Sequence, residues 1–456
     1  MAHAQLKPLD AAYLFESRRG PHLDRVGFWV FDTGSGTPPT RTQVAAHLRD
    51  RSKFIETLNR RIVDVPFNLD YPYWVVGGPL AEQVSHDDRV GLEWNDFLAT
   101  IGDLAAMQMD PATHAWRIHV FYQVRNAPGT TGPATIVVLQ GSHALVGGPS
   151  IAAVAFALFG DPKEPLTVPG IEPAGTQVNR FVAAVRGAAR TPSAIVRYLR
   201  MVRSAQRDAA RDQQTPVVRR TATIVNSGAG NRRTARVLRL DVDSLKRKDL
   251  TLTAVLLTVV SRALQDFLDE CDGGHPGDLA AMVTIALTAA PESLGVNRIG
   301  GAVVDLHPSI GNLAERAAAI QESLNQGIER GSGERAVENL KLANAIPSVM
   351  YPLVSNQIRK KAGAARSRGE VHLHTVVSSI NFGGPMPLEL LGSPLAFSAA
   401  YPPLTAEAGL THGLIGAGPQ SSLSILAAPA TVPDIDRYVR CLEAALAEIA
   451  AELPPR

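Results

Sequence analysis

Short apolar runs bounded by Gly, Pro and polar clusters alternate along the chain with longer segments whose apolar residues recur at helical spacing, a rhythm that predicts an α/β protein. Strands are expected at 25–32, 135–139, 236–240, 280–288, 376–381 and 421–426. Helices are expected at 8–16, 41–59, 181–212, 251–268, 314–327, 334–343 and 433–451. In the second of these Val44, Leu48, Phe54, Ile55 and Leu58 share one face, and in the fourth Val255, Leu256, Val259, Leu264 and Phe267 do. Asp10 is placed to cap the first helix. The helix at 181–212 should break near Pro192, and Pro352 should break an apolar helix at 346–354.

At 456 residues the chain is too long for one ordinary core, and the strand and helix rhythm occurs twice. The expected division is a first domain at 1–160, a connecting segment at 161–232 and a second domain at 233–456, each domain a mixed sheet with helices, the two meeting along a cleft. The connecting segment opens rich in Pro and Gly and then carries ten arginines against two aspartates between Val178 and Arg220. Such a helix suits solvent, anionic lipid or the phosphates of a ligand. The formal charge of +2 gives no global attraction to nucleic acid. Cys271 and Cys441 lie far apart without metal-ligand spacing, as in a reducing cytoplasm. No apolar run reaches bilayer length and no signal peptide is read at the start, so contact with a membrane is expected to be peripheral at most. No GxSxG elbow, Walker loop or zinc pattern occurs.

The candidate chemistry sits just past the strand at 135–139, where a Gly-rich turn carries His143 toward a helix that begins near Pro149. A histidine at a rigid strand end suits proton abstraction, because its ordinary pKa lies near the working pH. Turn-closing hydrogen bonds would also account for it.

The turn Ser142, His143, Ala144, Leu145, Val146, Gly147, Gly148 resembles the HHxxxDG motif of the wax ester synthase/diacylglycerol acyltransferase family, with Ser in place of the first His and Gly in place of the Asp. Three further stretches are similar to family segments: the opening PLDAAYLFE, MDPATHAWRIHV around Asp110 and Trp116, and VVSSIN before FGGP. Asn297 and Arg298 stand where the family has a loop ending in GNR. The resemblance implies two chloramphenicol-acetyltransferase-like domains around a central cleft or tunnel, and an O-acyltransferase in which His143 is the base. Ser142, Gly147, Gly148, Ser378, Ser379 and Asn381 become substrate-side candidates, with a strand of the second half crossing toward the first. The implied partners are an acyl-CoA or carrier-protein thioester and a hydroxyl or amine acceptor, as substrates and without a further cofactor. Loss of the Asp leaves an arginine in want of another partner. Besides acyl transfer from CoA, the sequence admits a condensation-type enzyme of secondary metabolism served by an acyl carrier protein, and a non-catalytic binding protein.

Overall fold

The computed structural model describes residues 4–453 except 21, 79, 165, 167–169, 212–217, 229 and 272. Two six-stranded sheets organise them. Their strands, in chain order, are β1 (Arg25–Asp32), β2 (Val84–Val90), β3 (Trp116–Val124), β4 (Ala134–Gly141), β5 (Thr234–Arg239), β6 (Ala280–Ala286), β7 (Ile299–Asp305), β8 (Thr375–Asn381), β9 (Glu389–Leu390), β10 (Ser393–Tyr401), β11 (Leu410–Gly416) and β12 (Ser422–Ala427). The first sheet has the order β9-β10-β1-β4-β3-β2 and the second β7-β6-β8-β11-β12-β5. Both are mixed, with β2 parallel to β3 in the first and β8 parallel to β6 and β11 in the second.

β4 is buried along its whole length, which explains its unbroken apolar sequence. Ile136 and Val138 join the core beneath the helix α2 (Trp94–Ala106), whereas Val137 and Leu139 join the core beneath α3 (Gly148–Phe159). The residues just after β4 are thereby fixed from both faces. In the second half a separate core gathers α5 (Leu252–Cys271) and α7 (Ile435–Glu452) against the sheet.

Three sequence expectations are corrected. The strand at 376–381 does not cross to the first half: it is β8, an interior strand of the second sheet. The crossing strand is β10, which pairs antiparallel with β1 from Val26 opposite Tyr401 to Phe31 opposite Leu395. β1 is apolar and buried from Val26 to Phe31, so it requires a partner on each edge, and β4 occupies only one of them. The division at residue 233 therefore follows the chain rather than the sheets. The expected break at Pro192 is absent, since α4 (Arg180–Arg211) runs through it, with the Thr191 and Ser193 hydroxyls bonding the Gly187 and Arg190 carbonyls on either side. Its expected last residue, Asp212, lies outside the described residues. Pro352 starts the helix α6 (Tyr351–Ser367) instead of breaking one, because a first-turn N–H has no intrahelical acceptor to lose. No helix among the described residues is long and apolar enough to cross a membrane.

β10 also ties the two sheets together. Ser422, Ser424 and Thr411 donate their hydroxyls to the carbonyls of Ser398, Ala400 and Pro402, at 2.5, 2.6 and 2.7 Å. Gly413 makes room for this junction, since a Cβ there would run into the Ala400 carbonyl and the Ser424 hydroxyl. Gly413→Ala is expected to cost about 1–3 kcal/mol in urea unfolding. Gly363→Ala, on an open face of α6, should add about 0.5–1 kcal/mol. Equal effects of the two substitutions would remove the junction from its proposed role.

Candidate active site

The turn after β4 is built by backbone bonds. Gly141 lies opposite both Arg25 of β1 and Trp116 of β3. The Ser142 N–H donates to the Ala115 carbonyl at 2.8 Å, and the Ser142 carbonyl accepts from Leu145 and Val146, both at 2.9 Å. Gly147 is then extended and caps α3, whose first turn holds Pro149. The Ser142 hydroxyl, standing where the motif has its first His, accepts the Ala144 N–H at 3.4 Å. It closes the turn on itself.

His143 is 4% exposed. Tyr13 of α1 (Pro8–Ser17) stacks on its ring with centroids 3.8 Å apart and planes 6° from parallel. The Arg25 Nε–H donates to Nε2 at 3.1 Å. An arginine N–H is always a donor, so Nε2 carries the lone pair and Nδ1 the proton. Among the described residues Nδ1 is buried without a partner at hydrogen-bond geometry. Burial first, and then the Arg25 charge, hold the imidazole well below its ordinary pKa, against a weaker pull from its own carbonyl and the Asn297 amide. The ring is a neutral base whose lone pair is already capped.

What fixes the turn is a carboxylate from the beginning of the chain. Asp10 was expected to cap its helix, but Lys7 occupies the cap position and Asp10 lies inside the first turn, 3% exposed. It accepts from Val296 N, Asn297 N and Asn297 Nδ2 at 3.2, 3.0 and 2.9 Å. The same Asn297 amide donates to the His143 carbonyl at 2.7 Å. Gly295, at φ +110°, is required beside it, because a Cβ would collide with the Asp10 carboxylate. Desolvation raises the Asp10 pKa to about 7, with the bonds from Asn297 and Val296 opposing it.

Gly147 belongs to the same arrangement. A Cβ on it would stand 3.4 Å from the Val296 carbonyl oxygen and 3.9 Å from Asn297 Oδ1, which is buried without a partner. The Ser150 hydroxyl, also 3.9 Å from that Cβ, is the one side-chain donor among these three neighbours, so a carboxylate at this position would meet two acceptor oxygens beside it. Gly148 opens α3 and contributes backbone only.

The second-half candidates lie apart from this cluster. Ser378, on β8, accepts from the Thr284 hydroxyl at 3.1 Å, Ser379 is partly exposed, and Asn381 is exposed and closes its own turn through the Gly383 N–H at 2.9 Å. Among the described residues none of the three bonds to the His143 turn. The end of β8 reaches the first half through apolar contacts instead: Ile380 and Phe382 pack on the core that holds Ala144, Leu145 and Val146. A crevice at Ala144 and Leu145, lined also by Asp10, Arg60, Trp74 and Val296, has room for about one water, at about 10 Å³. Sequence reasoning missed Tyr13, Arg25 and the joint role of Asp10 and Asn297. Asp10 left a trace as a charge among apolar residues of its helix, and Asn297 as part of the stretch similar to the family's GNR loop.

Comparison with known proteins adds to this geometry. Residues 6–252 match the wax ester synthase/diacylglycerol acyltransferase catalytic domain, and residues 296–450 match the WS/DGAT C-terminal domain. The chain belongs to the wax ester synthase/diacylglycerol acyltransferase family. Among solved structures it is similar to the wax ester synthase/diacylglycerol acyltransferase from Marinobacter aquaeolei VT8, with a TM-score of 0.67, 18% identity and 98% of each chain covered. It is also similar to a starter condensation domain of rhizomide synthetase in complex with C8-CoA, with a TM-score of 0.56, 14% identity, and 100% of this chain and 96% of that one covered. A cyclization-docking bidomain from Sorangium cellulosum has a TM-score of 0.54 at 14% identity, over 100% of this chain and 88% of that one. No curated protein matches. These likenesses establish the two-domain condensation and chloramphenicol-acetyltransferase-like fold, and family membership establishes an acyltransferase.

The Asp10 clamp has a measurable signature. A carboxyl whose folded pKa lies near 7, above its unfolded value of 3.8, holds its proton more tightly in the native state. Stability should therefore fall as pH rises from about 4 to about 7 and level off above. Buried Asp24, also raised to about 7, adds a second fall. In Asp10→Asn the slope of unfolding free energy against pH should be shallower by up to about 1.4 kcal/mol per pH unit across that window. Parallel wild-type and variant slopes in urea titrations would reject the clamp's protonation.

Proposed function

We propose that the chain transfers an acyl group from acyl-CoA to a hydroxyl, with His143 as general base. The observation that carries this reading is the neutral imidazole in the motif turn, its Nε2 lone pair held toward a donor by Arg25 and its backbone pinned by Asn297. An acceptor hydroxyl in place of the Arg25 N–H gives its proton to Nε2 as its oxygen attacks the thioester carbon. The C–S bond then breaks, and the departing thiolate takes the proton from the imidazolium. The ring is closed over by Tyr13 and Arg25, so entry of either substrate requires one of them to shift. A hydroxyl acceptor is preferred to an amine because the family's own description is of ester formation. A donor carried on a protein arm would meet the same base.

With a panel of acyl-CoAs and alcohols, His143→Ala should lower turnover by about 10²- to 10⁴-fold. Because burial and Arg25 depress the imidazole pKa, kcat/KM should stay level through the ordinary midpoint of 6.5 and fall only well below it. Turnover indifferent to the substitution, or an acid limb centred at 6.5, would rule out this base.

The site is proposed to draw its acceptor from a lipid surface. α4 packs against the turn Pro66–Asn68 while leaving Phe181 and Val185 80% and 71% exposed, and Phe67 of that turn is 91% exposed. Arg186, Arg190, Arg197 and Arg200 follow along the helix, the composition of a segment that lies in a headgroup layer. Co-sedimentation should show retention on anionic vesicles above neutral ones, reduced by Phe67→Ser with Phe181→Ser. Equal recovery of wild type and the double variant on both vesicle types would dismiss the surface.

A further inference from the structure

Arg25 has an unusual set of neighbours for a cation. Its Nε–H meets a neutral imidazole, and among the described residues no carboxylate pairs with its guanidinium. The adjoining Asp24 faces elsewhere, accepting the Met109 N–H at 2.5 Å. Arg25 is partly exposed, and among the described residues its two Nη groups make no hydrogen bond. The charge is anchored at the first residue of β1, opposite Gly141, so it cannot leave the site without disturbing the strand that supports the motif.

A half-buried guanidinium without a counter-ion is incompletely compensated, and its donors suit a carboxylate held through two parallel bonds. The same guanidinium occupies the lone pair that the reaction needs. A neutral alcohol offers the guanidinium nothing in exchange for Nε2. A carboxylate offers charge-assisted bonds roughly twice as strong as neutral ones.

We propose that Arg25 is the anion-binding group of the acceptor pocket and that the acceptor is a hydroxy acid whose carboxylate draws the guanidinium off Nε2. The inference rests on the reading of His143 as base. Nε and the two Nη groups belong to one planar fork, so the hydroxyl and the carboxylate of the acceptor stand within a few bonds of each other. With the carboxylate on the Nη groups, the hydroxyl takes the place of the Nε–H and gives its proton to Nε2. Its oxygen bonds to the thioester carbon as the C–S bond breaks, and the thiolate recovers the proton. Ester and free thiol result, with no other reactant.

The test compares 3-hydroxyoctanoate with its methyl ester, which keeps the skeleton and removes the charge, using octanoyl-CoA at neutral pH. Wild type should favour the acid in kcat/KM by about 10- to 100-fold. Arg25→Gln keeps an N–H for Nε2 without the charge and should bring the ratio near one, while Arg25→Lys should retain part of the preference. Calorimetric titration of 3-hydroxyoctanoate without donor should show the same loss of affinity in Arg25→Gln, and it decides the matter even where turnover is undetected. An equal preference in wild type, a Gln variant that slows both acceptors alike, or unchanged binding of the acid would overturn the proposal. His143→Ala separates the two assignments. Turnover surviving that substitution, with acid binding still dependent on Arg25, removes the base and leaves the anion site; loss of the acid preference with turnover still dependent on His143 does the reverse.

Discussion

A single buried carboxylate holds the two halves of this molecule to one histidine. Asp10 comes from the first helix, Asn297 from the loop that leads into the second half's edge strand, and the amide of Asn297 bridges Asp10 to the carbonyl of His143. Each partner lies in a different part of the chain, so the geometry exists only in the assembled fold. Desolvation acts against this carboxylate, and the three N–H donors aimed at it reduce that cost without cancelling it. A group kept under such tension is sensitive to its surroundings, and the backbone of the motif turn is two hydrogen bonds away, through the Asn297 amide.

The altered motif becomes intelligible through this clamp. Where the family motif has Asp, Gly147 faces the Val296 carbonyl and the amide oxygen of Asn297, two acceptors that a carboxylate would meet unfavourably, with the Ser150 hydroxyl as the donor beside them. The turn is held instead through the His143 carbonyl and through Ser142, whose backbone and hydroxyl accept three N–H groups of the turn itself. At both altered positions the turn is shaped by atoms of this chain's own backbone, Ser142 and Asn297. The imidazole itself is retained.

Much of the fold could be read from local pattern because apolar periodicity reports burial directly. β4 is legible as a run of buried residues feeding two cores, and α5 as an apolar helix, buried all round from Ala254 to Ser261. Pairing is a property of the whole sheet, and there the reading faltered. Nothing in 376–381 distinguishes an interior strand of the second sheet from one that crosses, and β10, which does cross, carries no mark of its destination except apolar length. The site divides in the same way. His143 was found because a motif travels with its neighbours in sequence, whereas Tyr13 and Arg25 meet it from 130 and 118 residues away. Ser378 and Asn381 were drawn toward the cleft by likeness alone, and their hydrogen bonds are local.

The surroundings of the imidazole decide how it can act. Tyr13 covers one face, Arg25 caps the reactive nitrogen, and burial keeps the ring uncharged, so protonation is not what restrains it near neutral pH. Access is the restraint. A neutral base with an occupied lone pair competes poorly for a proton until its donor is displaced, and the displacing group must offer the guanidinium more than the imidazole does. Selection among acceptors can therefore be exerted at the base itself, by the charge a substrate brings, before the thioester is engaged. On the proposed reading of His143 as base, the same arrangement disfavours hydrolysis, because water brings no charge with which to draw Arg25 aside.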